Sequence, residues 1–344
     1  MVTAHLAARA MPYHRDISQA FTTGPPGPAW LPYVLAFTVL VYLIVASLLQ
    51  YTYADLVGTL AIVEERQDSN LVFDGQVNVS DEKLPIEPEA ITVKPTYITS
   101  SLRKTTRRLR EVGGRRAHFR GIGLQFIYQF IAMVIKGFIQ ANLLRRNEVS
   151  HHIAGFVASL MVAGPMMAWT HYVISEPSQK SWYGHLCDLT FKDWKKIMPV
   201  TALWAFVQQL QLYLPTALYN SAGPYVPKAD PVLIAAAILL NIVLFGLVMV
   251  PALVTLTRVQ ASLLPENIQT IVTFDRSFDG KVVPEILGGT GVLGMLDAWK
   301  TFDWASRRRL LGVYAKVFSL QFALAFCFVP LYTAEILLAR QIWG

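Results

Sequence analysis

Six long apolar runs, separated by loops that alternate long and basic with short and weakly charged, constrain this 344-residue chain more than any other feature. The runs fall at about 30–52, 121–144, 153–174, 197–219, 231–257 and 310–339. Each approaches the ~20 apolar residues needed to cross a hydrocarbon core of ~30 Å. In lipid a spanning segment must satisfy its own backbone polar groups, so runs of this kind are expected to be helical. The pattern predicts an all-α membrane protein of six transmembrane helices, paired into three hairpins whose long loops share one side. Composition agrees. The chain is 53% hydrophobic and only 15% charged, where a soluble domain carries ~25% charged residues.

Charge then orients the chain. The odd loops hold 22 of the 30 Lys and Arg residues, against six in the even loops and both tails. An excess of Lys and Arg marks the side from which insertion occurs, so both termini are expected on the other side. The net charge of +7 thus belongs to membrane topology, and nucleic acid is not an expected partner. Residues 1–29 end in Gly24-Pro25-Pro26-Gly27-Pro28, a stretch that excludes helix, and are expected to form a disordered tail. The acidic, proline-containing stretch within 66–98 reads as a disordered insertion and as a possible contact for a protein partner.

Chemistry-bearing patterns are few. Cys187 and Cys327 make no metal or disulfide spacing. His151-His152 and His185-x-Cys187 are too sparse for a metal site. Gly288-Gly289-Thr290-Gly291 lacks the Lys-Ser/Thr of a phosphate loop. No catalytic constellation is present, so no enzyme activity, cofactor or metal is expected. Asn78-Val79-Ser80 is a glycosylation sequon, relevant only if that loop faces a secretory lumen.

Repetition carries more information. Residues 100–111 read as a short basic amphipathic helix, with Leu102, Thr105, Thr106 and Leu109 on one face and arginines over the rest. Gly113-Gly114 stops it, and Phe119-Arg120-Gly121 opens the second span. The third long loop repeats this order through Gly288-Gly289 and Leu296-Asp297-Ala298. Pro165 and Pro251 lie late in the third and fifth runs, where each is expected to kink a helix. Tyr53, beside Asp55, takes the matching place in the first.

This order resembles the mitochondrial carrier family: three tandem units of about a hundred residues, each an odd helix, a surface helix and an even helix. Gly114-x4-Phe119-Arg120-Gly121 resembles that family's glycine-aromatic-basic-glycine motif. Pro251, followed by Arg258 and Gln260, resembles its odd-helix signature. The resemblance implies repeats at 30–146, 150–220 and 230–340, within a six-helix membrane domain at 30–340 lying in a mitochondrial membrane, the inner before the outer. It departs at the ion-pair ring that closes one side of these proteins. Leu253, Leu256, Met167, Thr170 and Gly58 stand where charges are expected, and only Asp55 remains.

Polar residues inside the runs supply candidate solute contacts. Gln125, Gln129, Lys136 and Gln140 fall within about 60° of one helix face. Thr201, Gln208 and Gln211 cluster on the fourth run, and Tyr314, Gln321, Tyr332 and Glu335 on the sixth. Lys136 is the leading contact for an anionic small solute, with Gln129, Gln208, Gln211 and Gln321 as neutral partners. The resemblance adds Tyr128. The expected activity is alternating access to a small solute. The alternatives are a non-transporting membrane adaptor, or an unrelated multi-pass protein of the endoplasmic reticulum.

Overall fold

The computed structural model describes residues 30–65, 97–143, 147–177, 182–187, 190–221 and 230–343. Of these, 82% are helical and none lies in a strand; one antiparallel bridge joins Ser175 and Thr270. The expected tail at 1–29 and nearly all of the expected insertion lie outside the described residues.

Among the described residues, the helices in chain order are α1 (Leu31–Val63), α2 (Leu102–Gly113), α3 (Ile122–Asn142), α4 (Glu148–Met161), α5 (Ala163–Ile174), α6 (Trp182–Cys187), α7 (Phe191–Ser221), α8 (Pro231–Ser262), α9 (Met295–Lys300) and α10 (Trp304–Trp343). Among the described residues, four segments are long and apolar enough to cross a membrane: α1, Arg115–Asn142, α8 and Trp304–Ala339. The pair α4–α5, bent by 56°, makes a fifth if it is one span. The expected fourth run lies in α7, which does not reach the same apolarity; Pro199, Gln208, Gln209, Gln211 and Pro215 fall within it. The protein is therefore an all-helical, multi-pass membrane protein.

Helix α1 corrects the expected first boundary. It continues through Tyr53 to Val63, a stretch whose sequence reads as the start of a loop. All seven residues of Val57–Val63 are buried, so packing inside protein extends the helix beyond its lipid-length run. The basic surface helix forms as α2. Its buried face carries Thr105 and Leu109, while Arg103, Lys104, Arg107 and Arg110 are exposed. Gly114, at φ +68°, ends it. Gly121 caps α3 at φ +81°, with Trp169, Tyr51 and Val173 packed so closely that a Cβ would meet them at 3.1–3.2 Å. Only glycine meets both demands.

Three long helical segments are irregular. Pro165 lacks the N–H that would bond Met161, the last residue of α4, and the helix breaks at Val162. Pro251 similarly frees Leu247, and a π turn spans Phe245–Met249. Helix α1 has a π turn at Gln50–Leu56 with Tyr53 rather than proline. Burial changes across each irregularity. In Pro231–Leu244 no residue is buried, whereas ten are in Val250–Ser262; α4 buries four and α5 nine.

Two compact units are distinguished. In Tyr51–Ala315, Val57–Val63, α5 and Val250–Ser262 pack against one another pairwise, α3 packs on α4, and α7 on both α4 and α8. Ala61, Ile62, Val250, Val254, Phe302 and Leu310 form a core there, flanked by Phe245, Leu253, Trp299 and Tyr314. In the other unit, 30–50 with 316–343, the Thr38 hydroxyl donates to Glu335 at 2.7 Å, Gln321 Nε2 donates to Ala46 O at 2.9 Å, and Tyr42 meets Phe328 with ring centroids 5.4 Å apart.

Candidate functional site

The three mutually packed helix ends leave carbonyl oxygens without helical partners, and arginines from other elements supply the donors. Arg309 Nη2 donates to Ala61 O and Glu64 O, each at 3.0 Å, at the end of α1. Arg258 Nη1 reaches Ile62 O at 3.4 Å, and its Nη2 reaches Thr301 Oγ1 at 2.9 Å. Arg120 Nη2 donates to Glu176 O at 3.2 Å, just beyond α5. Arg276 donates to Leu264 O at 3.3 Å and to Pro265 O and Ile268 O, just beyond α8. A planar guanidinium with five donors and a fixed positive charge suits the negative end of a helix. Aromatic faces cover the cations: Arg120 lies over Tyr172 at 4.4 Å, Arg258 over Phe278 at 4.6 Å, and Arg309 over Tyr97 at 4.0 Å.

Below these caps the contact is largely uncharged. Met167 and Leu256 are each 1% exposed. Thr170 Oγ1 donates to Gln260 Oε1 at 2.7 Å, and His171 Nε2 lies 2.7 Å from Gln260 O. The positions where the resemblance predicts an ion-pair ring are thus filled by packing and neutral hydrogen bonds. Replacing both members of a buried ion pair by packed apolar groups can be neutral in energy. Among the described residues, the buried ion pair is a different one. Glu64 is 3% exposed. It accepts from Arg309 Nη1 at 3.1 Å, Ile98 N at 2.5 Å, Thr99 N at 3.1 Å and the Thr99 hydroxyl.

Asp55, in the π turn of α1, behaves differently. Its Oδ2 accepts from Gln125 Nε2 at 2.8 Å, no basic side chain among the described residues pairs with it, and Gln125 Oε1 is buried without a partner.

The expected solute contacts are dispersed. Lys136 Nζ lies 2.8 Å from His151 Nε2 on α4, and His151 Nδ1 lies 3.3 Å from Gln140. Gln211 Nε2 reaches Asn241 at 3.4 Å. Tyr128 is half-buried and hydrogen-bonded to the exposed Gln129. Gln208 is half-buried on the α7 face that carries buried Thr201. Gln321 belongs to the other compact unit. Several of these polar groups tie one helix to the next, which is a frequent use of Gln and His in membrane bundles. Phe119 is 46% exposed, and the Arg120 carbonyl accepts from the Tyr51 hydroxyl. Sequence reading missed Glu64, Arg309, Arg276 and Thr170 as interacting groups. For Glu64 and Arg309 the signal was charge at the end of an apolar stretch; Thr170 and Arg276 carried none.

Among the described residues, Glu65, Asp275 and Asp279 bring carboxylate oxygens within 4.8 Å of one another. Burial raises the Glu65 carboxyl above its ordinary value. The group is internally bonded: Asp275 accepts from Ser277 N at 2.8 Å and Asp279 N at 3.0 Å, and Glu65 accepts from Asp275 N at 2.8 Å. Arg258 supplies opposing charge. It reads as a loop closure. No family model matches the chain, and no curated protein matches it in sequence.

Proposed function

We propose that the chain is a six-helix, three-repeat membrane protein of the mitochondrial carrier type that moves a small solute by alternating access. The observation that carries this reading is the convergence of Val57–Val63, α5 and Val250–Ser262. Three bent helices meet at one end, each buried past its bend, with surface helices α2, α6 and α9 following them in the chain. Such an end is a gate if the solute must pass it. The neutral Thr170–Gln260 contact and the arginine caps would then be remade as it opens. A two-state gate needs closed and open forms within a few kcal/mol of each other, and hydrogen bonds are easier to exchange than buried ion pairs.

Purified protein in liposomes, loaded with anionic, neutral or cationic metabolites, tests the reading. Saturable flux that stops when α5 and α8 are cross-linked at this end supports it. Absence of flux for every class would sink it. The uncharged ring positions favour one second reading, a static carrier-like adaptor held shut by its caps and by the Glu64–Arg309 pair. A partner co-purifying with the chain and lost on deletion of 66–98 would select that reading. Localisation of a fluorescently tagged chain outside mitochondria would overturn the compartment.

A further inference from the structure

We propose that Asp55 and Gln125 bind a primary ammonium cation. Three observations lead there. First, Asp55 is a carboxylate within a span, partly accessible, that accepts from Gln125 Nε2 and, among the described residues, has no basic partner. Intramembrane ionisable groups are costly and ordinarily paired. The neighbouring basic group, Arg120, is turned elsewhere, toward Glu176 O and the Tyr172 ring. Second, Gln125 Oε1 is buried and unpartnered beside it. A buried acceptor without a donor is costly, and a ligand N–H would satisfy it. Third, Tyr51, Tyr128 and Tyr314 all lie within electrostatic reach of Asp55. Aromatic faces favour cations over anions.

The helix also leaves the carboxylate without a charged neighbour one turn on. Gly58 lies one turn beyond Asp55 on the same face, so no side chain there can neutralise the carboxylate. The Tyr314 hydroxyl approaches the bare position, 3.2 Å from where a Cβ would stand. A group with several N–H donors can bond the carboxylate and the orphan amide oxygen together. A quaternary ammonium has no N–H and could use only its charge. The π turn at Gln50–Leu56 places Asp55, and such single-turn irregularities are frequent at functional sites. This inference deepens the transport reading by naming the solute's charged end as cationic, and it rests on that reading only for the step after binding.

The test is thermal unfolding of the full chain in detergent micelles with ethylammonium chloride, against tetramethylammonium and sodium chloride at equal ionic strength. A saturable rise with ethylammonium alone is expected. It should vanish in Asp55→Asn and need about tenfold more ligand in Gln125→Leu, which loses one hydrogen bond. Equal rises with all three salts, or an unchanged rise in Asp55→Asn, would overturn the proposal. Should Asp55→Asn fail to fold, carbodiimide labelling of wild-type Asp55, read by mass spectrometry, decides. Protection by ethylammonium supports the site, and indifference to it refutes it. Binding without flux would sink transport and leave this site standing. Flux indifferent to Asp55→Asn would do the reverse.

Discussion

Glu64 and Arg309 form a buried ion pair whose two members should be unequally costly to remove. Glu64→Leu takes the partner from Arg309, which keeps the carbonyls of Ala61 and Glu64 as acceptors. It also strands the N–H groups of Ile98 and Thr99, each bonded to the carboxylate. Two buried amides without partners cost about 1–3 kcal/mol each. With the lost charge pairing, the total reaches about 5 kcal/mol. Arg309→Met strands a carboxylate that keeps three donors and two helix-end carbonyls that lose theirs, which we put at about 3 kcal/mol. The double variant should cost less than the sum by about 1–3 kcal/mol, because the two groups share one interaction. Equilibrium unfolding in mixed micelles, run as a full double-mutant cycle, measures all three values. A larger loss for Arg309→Met than for Glu64→Leu would refute the reasoning, as would additivity within about 0.5 kcal/mol.

Gly121→Ala should lower stability by about 2–4 kcal/mol, since it adds a left-handed backbone penalty to contacts with Trp169, Tyr51 and Val173. Gly123→Ala, with open space around it, should stay within about 0.5 kcal/mol of wild type; similar melting midpoints for the two variants would discredit the packing described at Gly121. Thr170→Val should cost about 1–3 kcal/mol by orphaning Gln260 Oε1, while Thr170→Ser should restore most of it in the same unfolding assay. Glu285 is held down to about 2 by hydrogen bonds from Lys192 and Lys196, each at 2.6 Å. A depressed carboxyl contributes stability above its unfolded value near 4.5, and that contribution fades as pH falls toward 2. Being exposed, it should also weaken in 1 M salt. Glu285→Gln should flatten the melting midpoint across that pH window, and an unaltered slope would exclude the tie.

The sequence by itself determined where helices run and where they bend. Apolar runs of membrane length must satisfy their own backbone, Pro165 and Pro251 remove specific helical donors, and Gly114 and Gly121 mark the ends of α2 and the start of α3. These are local constraints, legible one segment at a time. It did not show that α1 continues to Val63, because burial among α5, α8 and α10 stabilises that stretch. Nor did it show the partners of its polar groups. Lys136 reads as a solute contact on a helical wheel, but the wheel carries no neighbour, and in the structure His151 stands in front of it. Glu64 and Arg309 are 245 residues apart, and Arg276 reaches carbonyls that only the loop's path brings within range. Hydrogen bonds and charge pairs act over a few ångströms, so their identity waits on tertiary packing, whereas hydrophobic periodicity and backbone chemistry are written along the chain.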